Sequence, residues 1–417
     1  MLEQPTIAIP LDLPDVRVLR TELTKDRELI IEVESTLPTT TCRRCGQPIS
    51  AFYGYDRPLM LRHLPILGYV VYIRIRPKRF RCPYCDDHPT TTQRLSWYEP
   101  KALHPSAYER HLLLQLINST IADVCQKEDI SPDAVLSIID RWIATQIDWE
   151  SMPAFSVIGI DEIAIKKGHR DYVAIITARL STGDLQLLAV LPNRTKETLA
   201  NWLMTIPAPR SRQIRTVCTD MWEGYVAAVQ AVLPRAAIVI DRFHVAQHYR
   251  DGVDSLRKQE LKRLRQELPE EEAKQLKKTL WSFRKRPADL EPDEKERLNH
   301  LFAHSPQLQQ AYDLREQLTT IFDTARSKAE GMRRIKAWRR KVETSGLTCF
   351  ASFEKLLDTW LDLIANYFRQ RLSSGFVEGL NNKLKVLKRR CFGIYNLEHL
   401  FQRITLDLNG YTQFSPW

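Results

Sequence analysis

No apolar run in this 417-residue chain approaches the ~20 residues that a membrane-spanning helix requires. No basic-then-apolar leader opens it: Met1 to Asp15 carries acids and prolines, which argues against secretion. Long low-complexity stretches are missing, and with 43% hydrophobic and 27% charged residues the composition is not that of a disordered chain. The pattern of a disulfide framework is missing too. Of eight cysteines, Cys42, Cys45, Cys82 and Cys85 form two Cys-x-x-Cys pairs, while Cys125, Cys218, Cys349 and Cys391 are scattered singly. What remains is a cytoplasmic multidomain protein, since about 100–200 residues per domain is usual.

The charge is unevenly placed. The formal net charge is +10, a balance that favours a polyanionic partner. Arg250 to Arg286 nets +5, Arg326 to Lys341 nets +7, and Lys383 to Arg403 nets +5, so everything else nets −7. Any one such stretch reads equally well as a solvated helix face. Three in the C-terminal half of an otherwise acidic chain point to a phosphate-binding surface.

Residues 17–36 alternate apolar and polar as strands do, for example Leu29-Ile30-Ile31-Glu32-Val33. Cys42 and Cys45 follow, then a β-rich stretch through Tyr69-Val70-Val71-Tyr72, closed by Cys82-Pro83-Tyr84-Cys85. Each pair sets two thiolates on one tight knuckle, and two knuckles supply the four sulfurs of a tetrahedral zinc site. The intervening residues are filled by a hairpin over 60–80. Four protein ligands close such a site, so the spacing predicts one structural zinc, a folding element and not a catalytic one. Redox thiols are the weaker alternative.

Residues 105–145 read as helices. One begins at Ile121, Asp129-Ile130-Ser131 makes a turn, and Pro132 opens another that runs to Trp142. Ser131 suits an N-cap and Pro132 a first-turn position. The pattern fits a helix-turn-helix, although short helical pairs are common.

The period then changes. Phe155 to Ile160 reads as a buried strand ending at Asp161-Glu162, followed by strands over 172–178 and 185–191 and a helix over 195–206. A fourth strand over 214–219 ends at Asp220, a helix spans 222–233, and a fifth strand over 236–240 ends at Asp241. That order predicts a mixed sheet covered by helices. From His244 to Arg371 the pattern is almost wholly helical, and 376–408 returns to an amphipathic helix.

A single Asp at a strand end is most often a turn or cap residue. Here, if the first strand is flanked by the fourth, Asp161 and Asp220 end adjacent parallel strands ~4.8 Å apart, at the sheet edge where α/β active sites lie. Two such carboxylates can share a divalent ion, and hard oxygen ligands suit Mg or Mn. Asp241 is the second-choice ligand, one strand further out. Glu378, near the start of the final helix, is the candidate third carboxylate, with Asn382 and Lys385 at +4 and +7 on its face. The bland reading of Glu378 is an exposed helix residue. His244 reads as a structural histidine or a group near a bound phosphate. Trp222 reads as a core or lid residue, or one that stacks a base.

With these residues in view, the chain resembles the ISL3 family of bacterial insertion-sequence transposases, within the class built on an RNase H-like catalytic core. The resemblance rests on Cys42/Cys45 and Cys82/Cys85, Arg62-His63-Leu64-Pro65, Gly159-Ile160-Asp161-Glu162, Thr219-Asp220-Met221-Trp222 and Ile240-Asp241-Arg242-Phe243-His244-Val245. Its most specific part is Val377-Glu378-Gly379-Leu380-Asn381-Asn382-Lys383-Leu384-Lys385, followed by Arg389-Arg390-Cys391-Phe392-Gly393. One departure is His63, where the family's zinc-ribbon strand would carry an acid.

The resemblance implies a multidomain α/β architecture: a zinc ribbon over 1–95, a helix-turn-helix domain over 96–150, and a mixed-sheet core over 151–248. The core is interrupted by an all-helical insertion over 249–371 and completed by 372–417. It implies an acidic triad of Asp161, Asp220 and Glu378 holding two Mg or Mn ions, which would serve hydrolysis at a transposon end and then attack of the freed 3′-OH on target DNA. Asp241, His244, Trp222, Asn382 and Lys385 would assist. Transposon ends and target DNA would be the partners, with a homodimer or higher synaptic assembly in the nucleoid. Two alternatives are a non-catalytic DNA-binding regulator that keeps the core, and a nuclease that cuts without joining.

Overall fold

The computed structural model describes residues 9–164, 172–276, 279–371, 375–391 and 396–415, with the side chains of 275, 370, 375–378 and 381 outside that description. The chain divides into two compact units, Met1–Ala144 with Thr405–Trp417, and Thr145–Ile404. Among the described residues no helix is long and apolar enough to cross a membrane.

The first unit opens with β1 (Val16–Leu23), β2 (Glu28–Ser35), β3 (Thr40–Thr41), β4 (Pro48–Ile49), β5 (Ala51–Tyr55), β6 (Leu59–Ile66), β7 (Tyr69–Ile75), β8 (Lys78–Arg81) and β9 (Thr90–Thr92). A four-stranded sheet has the order β1-β2-β7-β6, with β2 and β7 parallel and the expected β6–β7 hairpin turning at Gly68 (φ +81°). Alternate residues Ile31, Val33, Leu61, Val71, Ile73 and Ile75 form its core. His63 sits in this sheet, buried, its Nε2 3.1 Å from the Leu11 carbonyl.

Three helices follow, α1 (Ser106–Leu116), α2 (Ile121–Glu128) and α3 (Pro132–Trp142). Asp129 closes α2 in the left-handed region, and the Ser131 hydroxyl accepts the Ala134 amide to start α3. Tyr108, Leu112, Val124, Val135, Ile138 and Ile139 pack between the helices, joined by Leu406 and Phe414 from the end of the chain. The buried Glu109 carboxylate is satisfied by Arg141 (2.7 Å) and by the Trp142 indole N–H (2.7 Å). Arg141 is thereby committed to holding α3 on α1.

The second unit is built on β10 (Phe155–Ala164), β11 (Tyr172–Leu180) and β12 (Leu185–Leu191), then α4 (Lys196–Met204) and α5 (Ala208–Ser211), β13 (Thr216–Thr219), α6 (Glu223–Val232) and β14 (Ala237–Ile240). The sheet order is β12-β11-β10-β13-β14, with the first three strands antiparallel and β10, β13 and β14 parallel. Ile158, Ile160, Val217 and Ile238 point to one face, beneath α4 and α6. Val157, Cys218 and Val239 point to the other and join the helical core that follows. That alternation is the period of two expected of strands covered on both sides.

The strand that the sequence ends at Asp161 runs on to Ala164, because β11 continues to pair with it after β13 has ended. Asp161 is therefore a buried residue within β10, not a strand terminus. The helical region comprises α7 (Arg242–Glu267), α8 (Glu270–Leu276), α9 (Leu280–Arg284), α10 (Pro292–His304), α11 (Pro306–Thr324), α12 (Lys328–Ser345), α13 (Ala351–Ala365) and α14 (Tyr367–Gln370). The single closing helix expected over 376–408 is two, α15 (Gly375–Arg390) and α16 (Leu397–Phe414). The Asn396 carboxamide starts the second by accepting the Glu398 and His399 amides.

Candidate active site and metal centre

In the first unit, the backbone after Cys42 turns tightly: Gly46, at φ +73°, donates its N–H to the Cys42 carbonyl at 3.0 Å. The Cys45 and Arg44 amides hydrogen-bond the Cys42 sulfur, and these bonds lower its pKa to about 6. On the second knuckle, the His88 amide donates to the Cys85 carbonyl and the His88 ring reaches the Cys82 carbonyl at 3.0 Å. All four sulfurs lie within 4.8 Å of one another, with Cys45–Cys82 at 3.7 Å and Cys82–Cys85 at 3.6 Å. A tetrahedron with Zn–S of ~2.3 Å has edges of roughly 3.8 Å, whereas a disulfide needs ~2.05 Å. The sulfur cage fits zinc. Among the described residues, the buried core around it adds to Cys42, Cys82 and Cys85 only Ile49 and Phe80, too little apolar surface to order the knuckles alone.

In the second unit, strand register brings the carboxylates together. Gly159 pairs with Cys218, and Cys218 with Val239. Two residues further along each line stand Asp161, Asp220 and Asp241, on one level and on the sheet face that carries Val157, Cys218 and Val239. His244, in the first turn of α7, places Nε2 3.1 Å from Asp220 and 3.9 Å from Asp241. Asp220, Asp241 and His244 offer ligand atoms within 4.8 Å of one another. Asp241 is buried and also caps α7 by accepting the Phe243 amide at 2.8 Å. Asp161 accepts the Glu162 amide at 2.6 Å.

Asp220 is pushed up to about 8, first by burial and then by the negative charge of Asp161, Asp241 and Glu162. A site that crowds this much negative charge is one that a divalent cation would neutralise, and its hard carboxylate oxygens suit Mg or Mn. The folded state holds the Asp220 proton more tightly than the unfolded chain, whose ordinary value is 3.8. Its stability contribution is thus complete below about pH 4 and is lost as pH rises through 8. In a chelator, Asp220→Asn should therefore melt higher than wild type, by a margin that widens from pH 4 to pH 8. Melting curves with a pH-independent difference would contradict this.

Trp222 is half-exposed beside these groups, its indole N–H donating to the Arg194 carbonyl at 3.1 Å. The Arg194 guanidinium lies 4.3 Å from the Trp222 ring centre and 4.4 Å from that of Tyr172, and pairs with Glu162 at 2.8 Å. Gly224 makes room for the indole, since a Cβ there would come within 2.8 Å of its nitrogen. Sequence reasoning passed over Arg194. It follows β12, which runs parallel to β10 two strands away and so emerges at the same sheet edge, but no motif marks it.

α15 packs on β10, and Lys388 hydrogen-bonds the Ala164 carbonyl. Glu378 is on this helix, its side chain outside the described residues; Asn382 and Lys385 are exposed on it.

The zinc-finger family of transposases IS204, IS1001, IS1096 and IS1165 matches residues 38–85. The transposase for insertion sequence element IS1001 of Bordetella parapertussis is 26% identical over 385 residues, 92% of this chain and 92% of its own length. The transposase for insertion sequence element IS1557 of Mycobacterium tuberculosis is 25% identical over 398 residues, 90% and 87% of the two chains. The ISL3 transposase family matches residues 158–404, which contain the strands, the carboxylates and the helical region described above, and the chain belongs to that family.

Proposed function

We propose that the protein binds the terminal inverted repeats of an insertion sequence, cleaves its ends by metal-dependent phosphodiester hydrolysis, and joins the 3′-OH ends to target DNA. The observation that carries this reading is the row formed by Asp161 within β10 and by Asp220 and Asp241 just past the ends of the parallel strands β13 and β14, with Asp220 buried among the negative charges of its neighbours. We assign the sheet over 151–248, resumed at 372–417, as an RNase H-like core, and the helices over 249–371 as its insertion. Asp161, Asp220 and Glu378 would hold Mg or Mn, with Asp241 and His244 supporting Asp220. When bound, the ions supply charge neutralisation and activation of the attacking oxygen. The protein's own groups orient the phosphodiester: Lys385 and Asn382 on its oxygens, Trp222 against a base. Two ends must be held together, so a homodimer or higher synaptic assembly at the nucleoid is the working unit.

The zinc ribbon over 1–95 and the helices over 96–150, taken as a helix-turn-helix, would read the ends. Asp133 and Ser137 are exposed toward the start of α3, where such a helix meets base edges. Changing either should alter end preference at an unchanged melting temperature. Arg141→Ala should instead lower the melting temperature, because the buried Glu109 loses a charged partner, a loss of about 1–3 kcal/mol. Equal loss of specific and random DNA binding in all three would mean that α3 touches phosphates only. Footprinting on the DNA flanking the gene, with and without Mg, tests the whole reading: a protected inverted repeat that is nicked only with the metal is expected.

A further inference from the structure

The three basic stretches differ in how their charge is disposed. In Arg250 to Arg286 much of it is neutralised nearby, with Arg257, Lys258 and Arg284 on Asp254 and Arg263 on Glu260 and Glu267. In Lys383 to Arg403, Lys388 is spent on the Ala164 carbonyl. α12, in Arg326 to Lys341, is arranged otherwise. Gly331, Ile335, Trp338 and Val342 bury one stripe at helical spacing. The cations on its flanks are held by neighbours: Arg339 by Asp358, Lys328 by Asp362, Arg334 by Glu330 and Lys341 by Gln317. Arg333, Lys336 and Arg340, at i, i+3 and i+7, stand opposite the buried stripe and are exposed. Among the described residues, none of these three has an ion pair.

We infer that the outer face of α12 is a docking surface for the phosphate backbone of duplex DNA, with Arg333, Lys336 and Arg340 as its contacts. This rests on the transposase reading. The three cations span about 10 Å of helix, a length over which duplex DNA presents several phosphates. Fixed flanks and a free crown keep the positive charge in one line instead of dispersing it. Such a surface reads charge and not sequence, so it serves transposon ends and target DNA alike.

The test is binding of the full-length protein to two duplexes, the DNA flanking its gene and a random sequence, across a salt series. The triple variant Arg333→Gln, Lys336→Gln, Arg340→Gln should lose roughly tenfold or more in affinity for both. The slope of log affinity against log salt should become shallower by about 3, close to one per phosphate contact. The charge-preserving pair Arg333→Lys, Arg340→Lys should keep the wild-type slope. An unchanged slope and affinity in the glutamine variant overturns the assignment, and so does a loss confined to one duplex or a charge-preserving pair that behaves like the glutamine variant. If the wild type binds neither duplex, the transposase reading fails with it; if the wild type binds both and the glutamine variant is identical, only the α12 assignment fails.

Discussion

Asp161→Ala, Asp220→Ala and Glu378→Ala are each expected to abolish DNA cleavage and strand transfer while leaving end binding intact. The losses should reach on the order of a thousandfold or more, as expected when a group that stabilises developing charge is removed from a low-dielectric site. Asp220 stands at the centre of the row, with Asp161 in β10 on one side, Asp241 just past β14 on the other, and His244 at 3.1 Å. Removing its carboxylate strips the pocket of the charge that a divalent ion would balance. Binding of the ends should hold, or tighten slightly, because negative charge beside a phosphate is lost. Asp241→Ala should fall short of full inactivation. Its carboxylate also caps α7, so that variant loses about 1 kcal/mol of helix stability as well. The check is a gel shift and a Mg-dependent cleavage assay on the same protein. If Asp161→Ala cuts normally, or Asp241→Ala is dead while Asp220→Ala is active, the assignment of roles along the row is wrong.

Loss of zinc should have the second largest effect. Among the described residues, Cys42, Cys82 and Cys85 share their small core with only Ile49 and Phe80. Metal binding in such sites contributes roughly 10 kcal/mol or more to folding, against a typical domain stability of about 5–15 kcal/mol. Cys42→Ser should therefore release zinc, expose residues 38–95 to proteolysis and weaken end binding, with the second unit still folded. Metal analysis of freshly purified wild-type protein should find about one zinc per chain. Protein that carries no zinc, or a Cys42→Ser variant as protease-resistant as wild type, would contradict this.

Much of the fold can be read from local pattern because its signals are local. The caps at Ser131 and Thr195, the two cysteine knuckles and the strands before Asp220 and Asp241 depend on neighbouring residues alone. Sequence pattern leaves the sheet order that sets Asp161 beside Asp220 as a condition, and the β10–β13 pairing meets it. Other features depend on partners that no short window contains. β10 outruns its apparent end because β11 pairs beyond the reach of β13. The Asn118 amide donates to the Asp407 carboxylate, 289 residues away, and periodicity says nothing about such a pairing. His244 meets Asp220 only because Asp241 turns the chain directly from β14 into α7. Arg194 gains its place from the rings of Trp222 and Tyr172, which lie apart in sequence.

On the proposed reading, this carboxylate row is a metal-dependent centre for cutting and joining DNA. Its most direct test is a strand-transfer assay with wild-type protein, a labelled duplex carrying the gene's flanking inverted repeat, and a second unlabelled duplex. With Mg, the labelled 3′ end should appear covalently joined to the second duplex; with chelator, or in Asp220→Ala, it should not. Joined product that forms equally well in chelator, or wild-type protein that leaves the bound end uncut in both Mg and Mn, would contradict the account.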